Sequence, residues 1–220
     1  MNYLAALLSC TLASAALAAE PPRLVSFPTA DGGTIAADLY GEHGRNGVVL
    51  AHGAAFGRDS WHALAADLAA KGFRVLAIDF RGWGKSTPGE TKNALFEDVL
   101  GAVRYLHANG AARVSVVGGS MGGGAAAEAA ARASAGEIDR IVLLSPAPVA
   151  TPERVGGDKL VVASEHEPAV DRIKALYEKA PAPKRLVLLP GTAHAQHIFD
   201  TDQSKRLMAT VIEFLSARRD

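Results

Sequence analysis

The sequence predicts an α/β fold: a mostly parallel sheet with an N-terminal antiparallel hairpin and helices on both faces. Three observations carry this expectation. Apolar runs of strand length recur without polar alternation, as in strands buried on both faces. Segments of helical apolar spacing lie between them. Glycines, 22 in 220 residues, gather at the junctions between the two kinds of segment, as tight turns require.

Arg23 to Phe27 and Thr34 to Tyr40 are short β-like runs separated by Asp31-Gly32-Gly33, a hairpin signal. Gly47 to Ala51 is a wholly apolar strand. Ser60 to Lys71 follows as a helix through Trp61, Leu64, Ala65 and Leu68, stopped by Gly72. Phe73 to Ile78 reads as a strand. Leu95, Val99, Val103 and Leu106 mark a helix that ends at Asn109-Gly110. Arg113 to Val117 is a strand and Met121 to Ala133 an Ala-rich helix. The alternation continues with strands Ile138–Leu144, Lys159–Ala163 and Arg185–Leu189, and with helices Val170–Lys179 and Ser204–Ala217. Repeated βα units after a hairpin imply a doubly covered sheet, whose chemistry gathers at the carboxyl ends of the strands.

Nearly half the residues are apolar, about a fifth are charged and the formal net charge is zero. That balance excludes a strongly basic nucleic-acid binder or a polybasic membrane-surface protein. Tyr3 to Ala19 is apolar or small throughout, and Ala16-Leu17-Ala18 precedes Glu20-Pro21-Pro22. The run reads as a secretory signal peptide (residues 1–19) cut near Ala18 or Ala19, which implies a periplasmic or secreted protein. It is too short for a stable membrane anchor. The single cysteine, Cys10, lies inside it, so the mature chain has neither disulfide nor thiol nucleophile. Leu7-Leu8-Ser9-Cys10 resembles a lipidation site only faintly. Residues 20–220 then form a single domain of ordinary size.

The loops after the strands carry the candidate chemistry. Gly118-Gly119-Ser120-Met121-Gly122 sets Gly-x-Ser-x-Gly between a strand and a helix. A nucleophile on so sharp a turn needs flanking residues without side chains, and the helix N-terminus behind it favours developing negative charge. The plainer alternative is a serine that only caps its helix. After Gly47–Ala51 comes His52-Gly53-Ala54-Ala55, a small loop able to aim a backbone N–H at an oxyanion. The N–H of Met121 is the natural second donor. Asp79-Phe80-Arg81-Gly82-Trp83-Gly84-Lys85-Ser86 follows Phe73–Ile78. It lacks the spacing of a phosphate-binding loop. Ser164-Glu165-His166-Glu167-Pro168 offers two carboxylates, and Pro190-Gly191-Thr192-Ala193-His194-Ala195-Gln196-His197 offers a base. His194-x-x-His197 has no further ligands around it, so no metal is expected.

His-Gly, Asp-x-Arg-Gly-x-Gly-x-Ser and Gly-x-Ser-x-Gly, in this order, resemble the α/β-hydrolase superfamily. The resemblance implies a serine hydrolase, carboxylesterase-like, that needs no cofactor and acts on a small acyl substrate. Ser120 would be the nucleophile, His194 the general base and Glu167 the acid, with Glu165 the rival. Met121 and Ala54 would donate to the oxyanion, and His52, Gly53 and Gly119 would line the site. The Asp79–Ser86 loop would be structural. Only Ser145 to Asp158 could cover the site, too short a stretch for a lid domain, so the chain is similar to the compact dienelactone-hydrolase-like and small-esterase branch. An open site preferring short acyl esters follows from that. A binding protein on the same fold, its triad out of geometry, is the alternative.

Overall fold

A computed structural model describes residues 21–218, and the signal-peptide reading, with Cys10, lies outside them. The hairpin forms from β1 (Arg23–Pro28) and β2 (Thr34–Tyr40), paired antiparallel. Then follow β3 (Asn46–Ala51), α1 (His62–Ala70), β4 (Phe73–Ile78), α2 (Leu95–Ala108), β5 (Arg113–Gly119) and α3 (Met121–Arg132). The chain closes with β6 (Arg140–Leu144), β7 (Asp158–Ser164), α4 (Val170–Lys179), β8 (Lys184–Leu189) and α5 (Ser204–Ser216).

The eight strands form one sheet in the order β1-β2-β4-β3-β5-β6-β7-β8. β2 runs antiparallel to both neighbours, and every pair from β4 to β8 is parallel. Successive residues of the central strand feed opposite cores. Val49 and Ala51 pack with α2, α3 and α4, while Val48 and Leu50 pack with α1 and α5. Burial on both faces is why β3, β6 and β7 lack polar alternation.

The topology determines where a site can form. From β3 the chain moves to β4 on one side and later to β5 on the other, so the strand order reverses at β3. Loops leaving the carboxyl ends of β3 and β5 diverge there and leave a crevice. Ala51 of β3 is in register with Gly118 of β5, which brings the His52-Gly53 loop beside the turn that carries Ser120.

The Asp79–Ser86 loop is anchored by charge. The Arg81 side chain is buried and donates to both Asp98 on α2 (2.6 and 2.8 Å) and Asp31 in the hairpin turn (2.7 and 3.1 Å). These hydrogen bonds, with the Thr29 hydroxyl, hold the Asp31 carboxyl far below the usual carboxylate range.

Candidate active site

Ser120 occupies the single residue between β5 and α3, with φ 50° and ψ −110°. Two residues away on either side only glycine fits. A Cβ on Gly118 would lie 2.3 Å from the Gly122 carbonyl, and one on Gly122 would lie 2.2 Å from the Ala51 carbonyl. The Ser120 N–H donates to Leu144 O at 2.9 Å, and Ala147 N–H donates to Ser120 O at 2.8 Å. The turn is thereby tied to the end of β6.

The Ser120 hydroxyl lies 2.9 Å from His194 Nε2, and His194 Nδ1 lies 2.5 Å from Glu167 Oε2. A carboxylate only accepts, so Nδ1 carries the proton and Nε2 offers its lone pair to the hydroxyl. Glu167 is 1% exposed. Its other oxygen accepts from Ser145 Oγ at 2.6 Å and from the Ser164 N–H at 3.1 Å. Glu165 is exposed, and its N–H bonds to Leu189 O at 2.8 Å. Of the two carboxylates, the fold brings Glu167 to the histidine.

Among the described residues, three non-glycine residues have positive φ: Ser120 (50°), Ser145 (41°) and Ala195 (50°). Ser120 bears the hydroxyl, Ser145 bonds Glu167, and Ala195 follows His194. Each such conformation costs about 1–3 kcal/mol, and strain of this kind concentrates where geometry is functionally constrained.

Met121 N–H belongs to the first turn of α3, where helical partners are lacking. Ala54 is exposed in the turn closed by Phe56 N–H to Gly53 O at 3.0 Å, and its own N–H bonds no acceptor among the described residues. The Gly53 N–H is taken: it donates to Gln196 Oε1 at 2.6 Å. Gln196 Nε2 donates in turn to Ser60 Oγ at 2.6 Å. Gln196 therefore joins the segment after His194 to both ends of the loop that holds Ala54. Gly119 leaves it room, because a Cβ there would meet Gln196 Oε1 at 2.9 Å.

His52, Gly53 and Gly119 are buried: Gly119 directly precedes Ser120, and His52-Gly53 leads into the turn that holds Ala54. His52 packs between the rings of Phe80 and Trp83, at 5.1 and 5.6 Å. Its Nε2 accepts from Phe80 N–H at 3.2 Å, which leaves Nδ1 to donate to Gly53 O at 2.8 Å. Burial lowers its pKa and favours this neutral ring. His52 thus shapes the loop from behind. His197 is exposed, with its ring 4.9 Å from that of Phe56. Among the described residues no three His, Cys, Asp or Glu side chains gather as a metal site.

Ser120 opens on a cavity of about 550 Å³. Met121, Gly124 and Ala125 form one wall, and Asn93 with Leu95 and the stretch Ala147–Thr151 form others. Ser145–Asp158 contains only a short 3₁₀ turn, Pro152–Arg154, and no lid domain. It contributes one wall of this cavity, which stays open to solvent.

Two residues that support the site, Ser145 and Gln196, were invisible to sequence reasoning. Each works through a partner distant in sequence. The one available signal was their adjacency to a strand end and to His194, respectively.

Comparison with known proteins agrees with the fold. The family model described as the alpha/beta hydrolase fold matches residues 46–155. A bifunctional esterase/perhydrolase of Acinetobacter calcoaceticus is 34% identical over 123 residues, covering 54% of this chain and 44% of its own length. A non-heme chloroperoxidase of Streptomyces lividans is 32% identical over the same shares. The chain thus spans less than half the length of these curated relatives. Among solved structures, an esterase of Pyrococcus furiosus superposes with a TM-score of 0.74 at 18% identity, over 88% of this chain and 90% of that one. A dienelactone hydrolase of Anabaena variabilis superposes with a TM-score of 0.74 at 21% identity, over 91% of this chain and all of the other. The chain belongs to the α/β-hydrolase-fold family.

Proposed function

We propose that this protein is a serine hydrolase that cleaves ester bonds of small substrates through an acyl-enzyme. The observation that carries the proposal is the unbroken run of hydrogen bonds from Ser120 through His194 to Glu167. Nε2 of His194 takes the hydroxyl proton as Ser120 Oγ attacks the ester carbonyl carbon. The N–H groups of Met121 and Ala54 hold the oxyanion, and losing one such donor raises the barrier by about 3 kcal/mol. Collapse of the tetrahedral adduct breaks the C–O bond, and the imidazolium returns its proton to the departing alkoxide. Water, deprotonated by the same Nε2, then releases the acid and restores Ser120. Glu167 holds Nδ1–H throughout and stabilises the cation that forms at each transfer.

The esterase named among the relatives points to the same bond type. The aligned array counts against a binding protein with a dispersed triad. Export to the periplasm or medium belongs to the same proposal and rests on the apolar run Tyr3–Ala19. Ser120→Ala tests the chemistry: turnover of p-nitrophenyl acetate is expected to vanish while the circular dichroism spectrum is unchanged. Wild-type turnover by the variant contradicts the proposal.

A further inference from the structure

The cavity beside Ser120 runs along one face of α3. Met121, Gly124, Ala125, Glu128, Ala131 and Arg132 all border it, at the spacing of a single helical stripe. Its wall changes character along the way. Near Ser120 it is apolar or small: Leu95, Met121, Ala125 and Val149. Toward the end of α3 it is charged. Glu128 is the only carboxylate on the wall, and Arg132 neutralises it through bonds of 2.9 and 3.1 Å. Arg132 is itself held over the Phe96 ring, 4.1 Å from its centroid.

Arg154 is the remaining charge on the wall. It closes the 3₁₀ turn that packs on α3, where Gly156 N–H donates to Ala130 O at 3.3 Å. Ala130 lies ten residues beyond Ser120, about 15 Å along the helix. Arg154 is exposed to solvent, and its guanidinium has no acceptor among the described residues. The cavity therefore joins a nucleophile at one end, an apolar middle and an unmatched cation at the other.

We infer that the site selects esters with an apolar chain ending in a carboxylate, and that Arg154 is the residue that reads this carboxylate. The inference rests on the hydrolase reading above and names its substrate class. A guanidinium presents two parallel N–H donors to a carboxylate, so the pairing is directional as well as charged. The apolar middle receives the methylenes, whose burial is favourable. Hydrolysis adds one water across the ester: Ser120 forms and then loses the acyl bond, and the alcohol leaves with a proton. A dicarboxylate is released when the distal carboxylate is on the acyl side, and a hydroxy acid with a monocarboxylate when it is on the alcohol side.

The test compares the p-nitrophenyl monoester of suberic acid with its methyl-capped neutral counterpart, and a carboxyalkyl acetate with its methyl ester to cover the alcohol side. Wild type, Arg154→Gln and Arg154→Lys are assayed at low and high salt. The expected ratio of kcat/KM, anionic over neutral, is about tenfold for wild type at low salt in at least one pair, falling with salt. Arg154→Gln brings that ratio close to one, and Arg154→Lys keeps part of it. Good turnover of the neutral esters with a ratio near one in both pairs overturns this inference alone. So does a ratio that Arg154→Gln leaves intact. No turnover of any ester by wild type overturns the hydrolase reading and this inference with it.

Discussion

Ser145 holds the carboxylate of Glu167: its hydroxyl donates to Oε1 at 2.6 Å and accepts from the Ala195 N–H at 3.1 Å. One buried hydroxyl thus fixes the acid and the backbone just after His194. Its backbone sits at φ 41°, unusual for serine. Ser145→Ala is expected to lower kcat about tenfold with little change in KM, the loss of one hydrogen bond to a charged group. Ser145→Gly separates two explanations, since glycine suits the left-handed backbone but supplies no hydroxyl. Equal losses in both variants fit the positioning role. Full activity in the glycine variant would assign the effect to strain.

The two carboxylates of the Ser164–Pro168 turn should differ sharply. Glu167→Gln neutralises the group that holds His194 Nδ1, and a triad so altered can lose roughly 10⁴ in kcat through the wrong histidine tautomer. Glu165→Gln alters an exposed side chain and should stay within about twofold of wild type, as surface changes usually do. Steady-state kinetics of both variants decide it, and the reverse ranking would move the role to Glu165.

Gln196 ties Gly53 N–H to Ser60 Oγ and thereby sets where the Ala54 N–H points. Gln196→Leu leaves the buried Gly53 N–H without an acceptor. A positioning role predicts that kcat falls about tenfold while KM moves little, as when an interaction made only in the transition state is weakened. A change confined to thermal stability would reduce Gln196 to a packing residue.

Acid should weaken the fold through Asp31. Its pKa is depressed by the Arg81 hydrogen bond, so the unfolded chain binds this proton more readily than the folded one. The stabilisation is complete above the unfolded value near 4 and is lost as pH falls toward the folded value. Urea unfolding midpoints measured from about pH 6 down to pH 3 should fall for wild type. They should fall less steeply for Asp31→Asn, which lacks the titration and is weaker at neutral pH. Parallel curves would show that Asp31 does not drive the acid response.

Where one local pattern dominates, the sequence sufficed. The bounds of β4 and α4 coincide with their apolar spacing, and Asp31-Gly32-Gly33 marks the hairpin turn. Differences arise where tertiary context outweighs propensity. β5 extends to Gly119 because Gly118 and Gly119 pair with Leu143 and Leu144, although glycine is a weak strand former. The helix expected over residues 60–71 opens instead with a 3₁₀ turn at Arg58–Trp61, pinned by the Arg58 N–H to Asp79 Oδ1 bond of 2.9 Å. The turn Ala195–Asp200 carries no helical period and went unread. At the site, Gly-x-Ser-x-Gly between a strand and a helix pointed to Ser120, and the family resemblance pointed to His194. Between Glu165 and Glu167 only the family resemblance favoured Glu167, and the fold buries Glu167 while it exposes Glu165. Gln196 meets Gly53 across 143 residues of sequence, a separation no local motif encodes.

The central claim is that Ser120 is a nucleophile activated by His194. Incubation with a fluorophosphonate, followed by peptide mass spectrometry, tests it most directly. One covalent adduct per chain is expected, on Ser120, formed far more slowly in His194→Ala and absent in Ser120→Ala. An unlabelled wild-type protein, or an adduct on another residue, would contradict it.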